Sequence, residues 1–390
     1  MSWRWVPPAF SPVEPRTLMQ GIAAAWGSRT ESSNTAIGGL RARYGAQTVL
    51  LTDSGTSALI FALRAIVPPG GAIAYPGYSC IDLSTAAIGA GVRVRLYDLD
   101  PTTLSPDLGS LEAAIGRGVD AIVVAHLYGY PADVAAVQSM AAKHGIPVIE
   151  DAAQGAGGTL RETPLGGFGD VSILSFGRGK GATTGAGGAL LARSKAYAER
   201  IAQLDDQLGA ARRGSQEMGA LAAQWLFSYP SLYRLPASIP ALKLGEMVYH
   251  PPREPRTMPI AASAMLASVL RHDDIEVEIR RGRAENLLSR INGSRRIVPI
   301  RPVREGHSGF LRLAVTDGAG SLAECESLGI LRGYPLTLEQ HEQLQPLLAP
   351  GEKAGQGSAF LRDRLFTLPT HSRVGSSDMV RLQSWVATSS

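Results

Sequence analysis

The chain has 390 residues, of which 45% are hydrophobic and 18% are charged, with a formal net charge of +4. This composition excludes wholesale disorder, and the length predicts two domains, since one hydrophobic core seldom grows past about 250 to 300 residues. Lysine and arginine form no clustered stripe, so nothing indicates binding to nucleic acid.

The two cysteines, Cys80 and Cys325, are far apart and lack metal-ligand spacing. We therefore expect a reducing compartment and no metal site built on cysteine. The first fifteen residues, MSWRWVPPAFSPVEP, contain no apolar run of signal-peptide length, and no stretch approaches eighteen unbroken apolar residues. A cytoplasmic protein without membrane contact is the expectation.

From residue 49 onward, short apolar runs alternate with stretches of helical periodicity. The strand candidates are VLLT, AIAY, VRVRLYD, AIVVAHL and PVIED, and the helices between them are TSALIFALRAI, IDLSTAAIGAG, DLGSLEAAIGRG and ADVAAVQSMAAKHG. This alternation predicts an α/β fold with an open, mostly parallel sheet covered on both faces. Ligands bind beyond the carboxyl ends of such strands, so the loops that follow the strands are the candidate sites.

The alternation lapses between about residues 195 and 270. Residues 194–213 read as one helix, and residues 222–245 are aromatic and interrupted by prolines, which favours packing onto the main domain or onto a partner. A long helix is predicted to about residue 291, followed by the strand candidates RRIVPIRP, GFLRLAV and RLFTLPT and a last helix, SDMVRLQSWVAT. We therefore predict a large domain in 1–250, with the aromatic insertion at about 205–250, and a smaller α/β domain in 251–390.

One lysine, Lys180, lies among six glycines in SFGRGKGATTGAGG, directly after an apolar run. A Walker A loop is excluded, because Leu174 and Gly181 stand where that motif needs a glycine and a hydroxyl residue. A dinucleotide fingerprint fits GxGxxA, but no helix follows it and no acidic residue ends a second strand about twenty positions on. A solvated lysine in a surface loop is the other interpretation.

Polar residues also follow two earlier strands. In DSGTSAL, Gly55 lets the backbone approach a ligand closely, and the following helix is predicted to start with Thr56 and Ser57. The free amides there favour an anion such as phosphate, although an ordinary helix cap has the same sequence. In EDAAQ, Asp151 is either a simple cap or the partner of a cationic ring nitrogen, and Gln154 can reach the same ligand. His126, at the end of a buried strand, is expected to be hydrogen-bonded there.

A phosphate-binding turn, then an acid at a strand end, then a lysine in a glycine-rich loop is the set that pyridoxal phosphate requires. The lysine forms a Schiff base with the aldehyde, the acid keeps the ring nitrogen protonated, and the turn holds the phosphate. The sequence therefore predicts a pyridoxal phosphate site.

At these residues the sequence resembles the DegT/StrS family of pyridoxal-phosphate-dependent aminotransferases, best known for aminating keto sugars attached to nucleotides. The matching stretches, which cover roughly residues 35–195, are DSGTSALIFAL, YPGYSCIDLSTAAIGAG, VVAHLYGYPADVAAV, GIPVIEDAAQGAGGT and GGFGDVSILSFGRGKGATTGAGGALL. LFTLPTH near the C-terminus is also similar. The resemblance implies the type I fold of these transferases, with a mostly parallel seven-stranded sheet in the large domain, a smaller C-terminal α/β domain and a homodimer.

Carried over position by position, the resemblance implies a role for each candidate residue. Gly55 and Thr56 would hold the phosphate through their amides, and Ser175 would add a hydroxyl. Asp151 would pair with the ring nitrogen, and Gln154 would lie near the ring hydroxyl.

Lys180 would be the Schiff-base lysine and the catalytic base, with Asp151 as the second catalytic residue. A dehydratase branch of the family has histidine at the lysine position, so Lys180 argues against that chemistry. The expected reaction transfers an amino group, with glutamate as the expected donor, to a keto substrate such as a nucleotide-linked sugar. No metal is expected.

Three positions depart from the family pattern. Cys80 stands where an aromatic ring usually stacks on the cofactor, which leaves the thiol or Tyr78 for that contact. The segment PPREPRTMPIAASAM lacks the asparagine that in relatives reaches the phosphate from the other subunit, and Ala186 replaces a frequent glutamate. Two alternatives therefore stay open: a pyridoxal phosphate enzyme with another reaction or a non-sugar substrate, and a non-catalytic regulator that kept the fold.

Overall fold

The computed structural model describes residues 4–27, 33–242, 244 and 247–389. Its α-helices are α1 (Pro15–Trp26), α2 (Asn34–Tyr44), α3 (Gly55–Ile66), α4 (Asp82–Ala90), α5 (Leu108–Gly116), α6 (Val134–Ala142), α7 (Lys195–Leu204), α8 (Ser215–Phe227), α9 (Arg234–Ala237), α10 (Ile260–Ile291), α11 (Gln356–Arg364) and α12 (Ser376–Ser389). Within these ranges no helix is both long enough and apolar enough to cross a lipid bilayer.

The strands fall into a large sheet, a small sheet and short ribbons. They are β1 (Thr48–Thr52), β2 (Ala72–Pro76), β3 (Arg93–Tyr97), β4 (Ala121–Ala125), β5 (Val148–Asp151), β6 (Thr159–Leu160), β7 (Thr163–Pro164), β8 (Val171–Ser175), β9 (Gly188–Ala192), β10 (Ile297–Pro299), β11 (Gly306–His307), β12 (Leu313–Asp317), β13 (Leu331–Arg332) and β14 (Leu365–Leu368).

The large sheet has seven strands in the order β1-β9-β8-β5-β4-β2-β3. Strands β8, β5, β4, β2 and β3 run parallel, whereas β9 is antiparallel to both of its neighbours. All residues of β2, β4 and β9 are buried, as expected for strands covered on both faces. The predicted α/β fold with a mostly parallel seven-stranded sheet is confirmed.

The strand order brings the candidate loops to one edge of the sheet. Because β1 and β8 are both antiparallel to β9, β1 points the same way as the parallel strands. The chain therefore leaves β1, β2, β4, β5 and β8 at the same edge, although these strands are spread over more than 120 residues of sequence.

The C-terminal half contains an antiparallel four-stranded sheet in the order β10-β12-β14-β13, and the long helix α10 packs against α1 and α12. One predicted element is wrong in its extent: residues 194–213 do not form one helix. Helix α7 ends at Leu204, because the backbone of Gly209 is extended by then and pairs with the segment around Arg256. The Gly209 amide donates to the Pro255 carbonyl at 3.1 Å.

The aromatic insertion packs onto the N-terminal arm. The Trp225 indole donates to the carbonyl of Val13 at 3.1 Å. The Arg373 guanidinium lies over the rings of Tyr229 and Phe10, at 3.5 and 4.7 Å from their centroids. The insertion, the arm and the C-terminal segment are thus joined through one cation and a group of aromatic rings.

Candidate active site

Helix α3 begins directly after β1 and presents its N-terminus to the sheet edge. Ser54, in extended conformation, caps the helix by accepting a hydrogen bond from the Ser57 amide at 3.0 Å. The cap leaves the amides of Gly55 and Thr56 for a ligand, and both residues line a pocket at this edge. The helix N-terminus therefore provides backbone donors for an anion.

Ser175, the last residue of β8, lies against this helix terminus. A Cβ added to Gly55 would stand 2.7 Å from the Ser175 Cβ and 3.0 Å from its Oγ, so only glycine permits the approach. The Ser175 hydroxyl thereby joins the two amides in one wall of the pocket. These donors fit a phosphate group.

Asp151 ends β5 in the neighbouring loop. Its Oδ1 accepts a hydrogen bond from the Ala153 amide at 2.9 Å. Burial raises the pKa of the Asp151 carboxyl, while the Ala153 amide and the charge of Lys180 oppose the rise. A protonated ring nitrogen placed beside this carboxylate would give the buried charge a partner, so the residue fits pyridoxal phosphate.

The lysine loop is fixed through its backbone. The Ser11 hydroxyl, from the N-terminal arm, donates to the Lys180 carbonyl at 2.5 Å, and Thr183 Oγ1 donates to the Gly177 carbonyl at 3.0 Å. At the loop's end, a Cβ on Gly188 would stand 2.5 Å from the Ser54 backbone. Glycine here lets the loop return against the cap of α3, and Lys180 lines the same pocket as Asp151.

Cys80 also lines the pocket. Burial raises the pKa of its thiol to about 12, and the nearby Asp82 carboxylate adds to the rise. The thiol is therefore neutral at physiological pH and donates to Asp82 Oδ2 at 3.5 Å. Tyr78, the other candidate for the stacking contact, is fully buried outside the pocket wall, where its hydroxyl accepts from the Tyr334 amide at 2.7 Å.

Gln154 is oriented by two tyrosines. Its Oε1 accepts from the Tyr128 amide at 2.9 Å, and its Nε2 donates to the Tyr334 hydroxyl at 2.6 Å. The rings of Tyr128 and Tyr334 are stacked, with centroids 5.4 Å apart. The amide of Gln154 is thus held at the pocket wall with its orientation set by hydrogen bonds.

Taken together, the structure brings all seven sequence-predicted site residues to one pocket. They are Gly55, Thr56, Cys80, Asp151, Gln154, Ser175 and Lys180. Asp82 and His126 line the pocket as well, and sequence reasoning gave Asp82 no role. A carboxylate two residues after the cysteine, at the start of α4, was the available signal.

His126 is hydrogen-bonded through both ring nitrogens. Nδ1 accepts from the Ala132 amide at 3.0 Å, and Nε2 lies 2.9 Å from Glu150 Oε1. Because Nδ1 is an acceptor, the proton sits on Nε2 and is donated to the carboxylate. The ring is therefore fixed and has no nitrogen left for proton transfer.

Glu150 is a buried residue that sequence reasoning missed. Besides His126, its carboxylate accepts hydrogen bonds from the amides of Gly166, Phe168 and Gly169 at 2.6 to 2.9 Å and from the Ser172 hydroxyl. Burial would raise the pKa of Glu150, but these donors outweigh it and lower the pKa to about 2. An acid inside a buried strand was the only sequence signal.

Comparison with known proteins identifies the family. The sequence model of the DegT/DnrJ/EryC1/StrS aminotransferase family matches residues 20–227, more than half of the chain. The chain belongs to the DegT/DnrJ/EryC1/StrS aminotransferase family. Pyridoxal phosphate, the cofactor predicted from the sequence, is the cofactor of this family.

Two relatives illustrate its range. The chain is 38% identical over 152 residues to L-glutamine:2-deoxy-scyllo-inosose aminotransferase of Streptoalloteichus tenebrarius, covering 39% of this chain and 36% of that protein. It is 35% identical over 148 residues to UDP-N-acetyl-3-dehydro-alpha-D-glucosamine 3-aminotransferase of Acidithiobacillus ferrooxidans, covering 38% and 40%. The matches thus span well under half of these proteins.

Solved structures share the fold over nearly the whole chain. The aminotransferase TlmJ from Streptoalloteichus hindustanus superimposes with a TM-score of 0.78 at 21% identity, covering 99% of this chain and 98% of that one. DesV of S. venezuelae, in complex with a ketimine intermediate, gives 0.74 at 20% identity, covering 96% and 94%. The C-terminal half, which the family's sequence model does not match, therefore has the family's architecture too.

The hydrogen bonds around Glu150 predict that the stability of the fold depends on this carboxylate and falls in acid. Replacing Glu150 with Gln places an NH2 group among donors, and we expect the free energy of unfolding at pH 7 to fall by about 3 kcal/mol or more. A carboxyl whose pKa is lowered on folding stabilises the fold above its unfolded value, 4.5, and this contribution is lost as the pH falls towards 2. Denaturant unfolding curves between pH 3 and 7 measure both effects.

The matched control is Glu112→Gln, which changes an exposed glutamate. It should leave the free energy of unfolding within about 0.5 kcal/mol of the unmodified protein. Equal free energies of unfolding of the Glu150 and Glu112 variants at pH 7 would contradict the stabilising role of Glu150.

Proposed function

We propose that this protein is a pyridoxal-phosphate-dependent aminotransferase that moves an amino group from an amino acid to the keto group of a sugar or a sugar-like cyclitol. The observation that carries the proposal is the convergence of Lys180, Asp151 and the helix terminus at Gly55 on one pocket, from loops far apart in sequence. The relatives' names support the substrate class: one names a cyclitol, 2-deoxy-scyllo-inosose, and the other a UDP-linked sugar.

The chain's residues divide the chemistry among them. When bound, pyridoxal phosphate supplies an electron sink for the substrate carbon that bears nitrogen. The Lys180 amine would hold the cofactor covalently, and its Nζ is placed in the same pocket to take and return a proton at the substrate carbon. The amides of Gly55 and Thr56, with the Ser175 hydroxyl, would hold the phosphate group.

Asp151 and Cys80 act on the ring. The Asp151 carboxylate would keep a ring nitrogen placed beside it protonated, because a buried carboxylate and a cation hydrogen-bonded to it stabilise each other. Cys80 would offer the ring a neutral sulfur rather than an aromatic face, so that contact would provide packing without π-stacking.

Lys180→Ala tests the lysine's role. The variant should lose turnover by at least about a thousandfold, since it lacks both the covalent anchor and the proton carrier. Borohydride reduction of the unmodified holoenzyme, followed by peptide mass spectrometry, should find the cofactor mass on Lys180. Lys195→Ala, at a surface lysine near Glu199, is the matched control and should retain full activity. Full turnover by Lys180→Ala would contradict the role assigned to the lysine.

Donor dependence separates transamination from the other reactions of this cofactor. We expect glutamate or glutamine to convert the yellow holoenzyme to the aminated cofactor with release of one equivalent of its 2-oxo acid, and a keto sugar or keto cyclitol to restore the original spectrum. Absorbance spectra and quantification of the oxo acid measure this cycle. Product formed with no amino donor present would contradict the proposal and favour elimination or decarboxylation.

We also propose a cytoplasmic homodimer with large and small domains in 1–250 and 251–390. The apolar surface of the aromatic insertion supports the dimer, because five of its aliphatic side chains are 47% to 50% exposed: Leu226, Leu235, Ile239, Leu242 and Leu244. Sedimentation equilibrium should give twice the chain mass, and Leu235→Glu with Ile239→Glu should shift it towards the single chain. A monomer at micromolar concentration would contradict the dimer.

A further inference from the structure

A half-buried guanidinium, that of Arg312, lies beside the tyrosines that orient Gln154, and its Nε is fully buried. Arg312 immediately precedes β12, and its amide donates to the Tyr128 carbonyl at 3.3 Å. Its Nη2 donates to the Gly329 carbonyl at 3.2 Å. Among the described residues, this backbone carbonyl is the hydrogen-bond acceptor found for the Arg312 side chain.

The positive charge of Arg312 has no counter-ion in the described part of the chain. Its Nε is buried there without a hydrogen-bond partner, and no carboxylate lies within ion-pairing distance. Burial lowers the pKa of Arg312 to about 10, so the group remains charged at neutral pH. A desolvated cation left in this state is costly unless a ligand supplies the anion.

Other arginines of this protein are paired differently. Arg4, Arg64 and Arg117 meet the carboxylates of Asp378, Glu254 and Glu352 at 2.7, 3.1 and 2.7 Å. These pairs are explained by local stability alone. Arg312 faces phenol groups instead.

Tyr128, whose carbonyl accepts from the Arg312 amide, is stacked on Tyr334, and these two rings together with Tyr233 influence the pKa of Arg312. Burial raises the pKa of Tyr128 and of Tyr233 to about 12, and that of Tyr334 further, so all three remain neutral phenols and supply no negative charge. Phenol hydroxyls donate hydrogen bonds to anions. The cluster therefore combines one cation with three potential donors.

The cluster borders the pocket that holds Lys180. The pocket-wall residue Gln154 accepts from the Tyr128 amide and donates to the Tyr334 hydroxyl. Tyr233 comes from the aromatic insertion, just before α9. The insertion thus contributes to the surroundings of the site as well as to packing.

We propose that Arg312, with the hydroxyls of Tyr128, Tyr233 and Tyr334, binds an anionic group of the substrate whose reacting end lies at Lys180. This inference rests on the proposed function. The anion is either the carboxylate of the amino donor or a phosphate carried by the keto acceptor, and both suit a planar guanidinium with two N–H donors on one edge.

The test compares Arg312→Gln and Arg312→Lys with Arg362→Gln, a surface arginine paired with Asp363. Stopped-flow absorbance of each holoenzyme with L-glutamate or L-glutamine gives the donor half-reaction, and the aminated form with a keto acceptor gives the other. In Arg312→Gln we expect the apparent dissociation constant of either the amino donor or the keto acceptor to rise at least about tenfold. The rate of that half-reaction at saturation should change less. Arg312→Lys should recover part of the lost affinity, and Arg362→Gln should be unchanged.

The half-reaction that weakens identifies the anion. Weaker binding of the amino donor indicates its carboxylate, and weaker binding of the keto acceptor indicates a phosphate. Calorimetric titration with succinate and with UDP adds a measurement that needs no turnover. If no donor converts the unmodified holoenzyme, the proposed function fails, but weaker succinate or UDP binding by Arg312→Gln would still support the anion site.

A structural role for Arg312 makes a different prediction. Removing an unpaired buried cation should leave the unfolding temperature of Arg312→Gln unchanged or raised. A lowered unfolding temperature or an altered oligomeric state, with all binding constants as in the unmodified protein, would overturn the proposal. Unchanged dissociation constants in both half-reactions and in the succinate and UDP titrations would also overturn the proposal.

Discussion

The N-terminus of α3 and the two strands that flank the lysine loop approach so closely that side chains would not fit between them. Gly55 lies against Ser175, and Gly188 lies against the backbone of Ser54. This packing brings the helix's free amides, the Ser175 hydroxyl and the loop of Lys180 to one edge of the sheet. A bulkier residue at either glycine would separate the phosphate-binding donors from the lysine, and the rest of the site presupposes that they are adjacent.

Two kinds of buried charge surround this packing. Glu150 is satisfied within the protein, by backbone amides, a hydroxyl and the His126 ring, and so it stabilises the loops without offering anything to a ligand. Asp151, Lys180 and Arg312 have fewer partners of their own, and burial shifts the pKa values of Asp151 and Arg312 towards their neutral forms. Residues of this second kind gain most from a charged cofactor or substrate.

The aromatic insertion connects the lysine loop to the rest of the molecule. Trp225 holds the N-terminal arm, and Ser11 of that arm holds the carbonyl of Lys180. The positive charge of Arg312 acts on Tyr233 of the same insertion, where it opposes the rise in pKa caused by burial. At the departure from the family pattern, Cys80 contributes a neutral thiol to the pocket wall, and the stacked rings of Tyr128 and Tyr334 lie behind Gln154.

The sequence by itself determined the α/β alternation and the positions of Gly55, Asp151 and Lys180. Helix and strand periods, strand-end acids and glycine loops are local features, written within about fifteen consecutive residues. Only the tertiary structure decided that Glu150 accepts hydrogen bonds from several loops and that residues 194–213 break into shorter elements. It also decided that Arg312 lies next to Tyr128, which is distant in sequence. Those contacts join residues up to about two hundred positions apart, and no local period encodes which distant side chains meet or which buried charge lacks a partner.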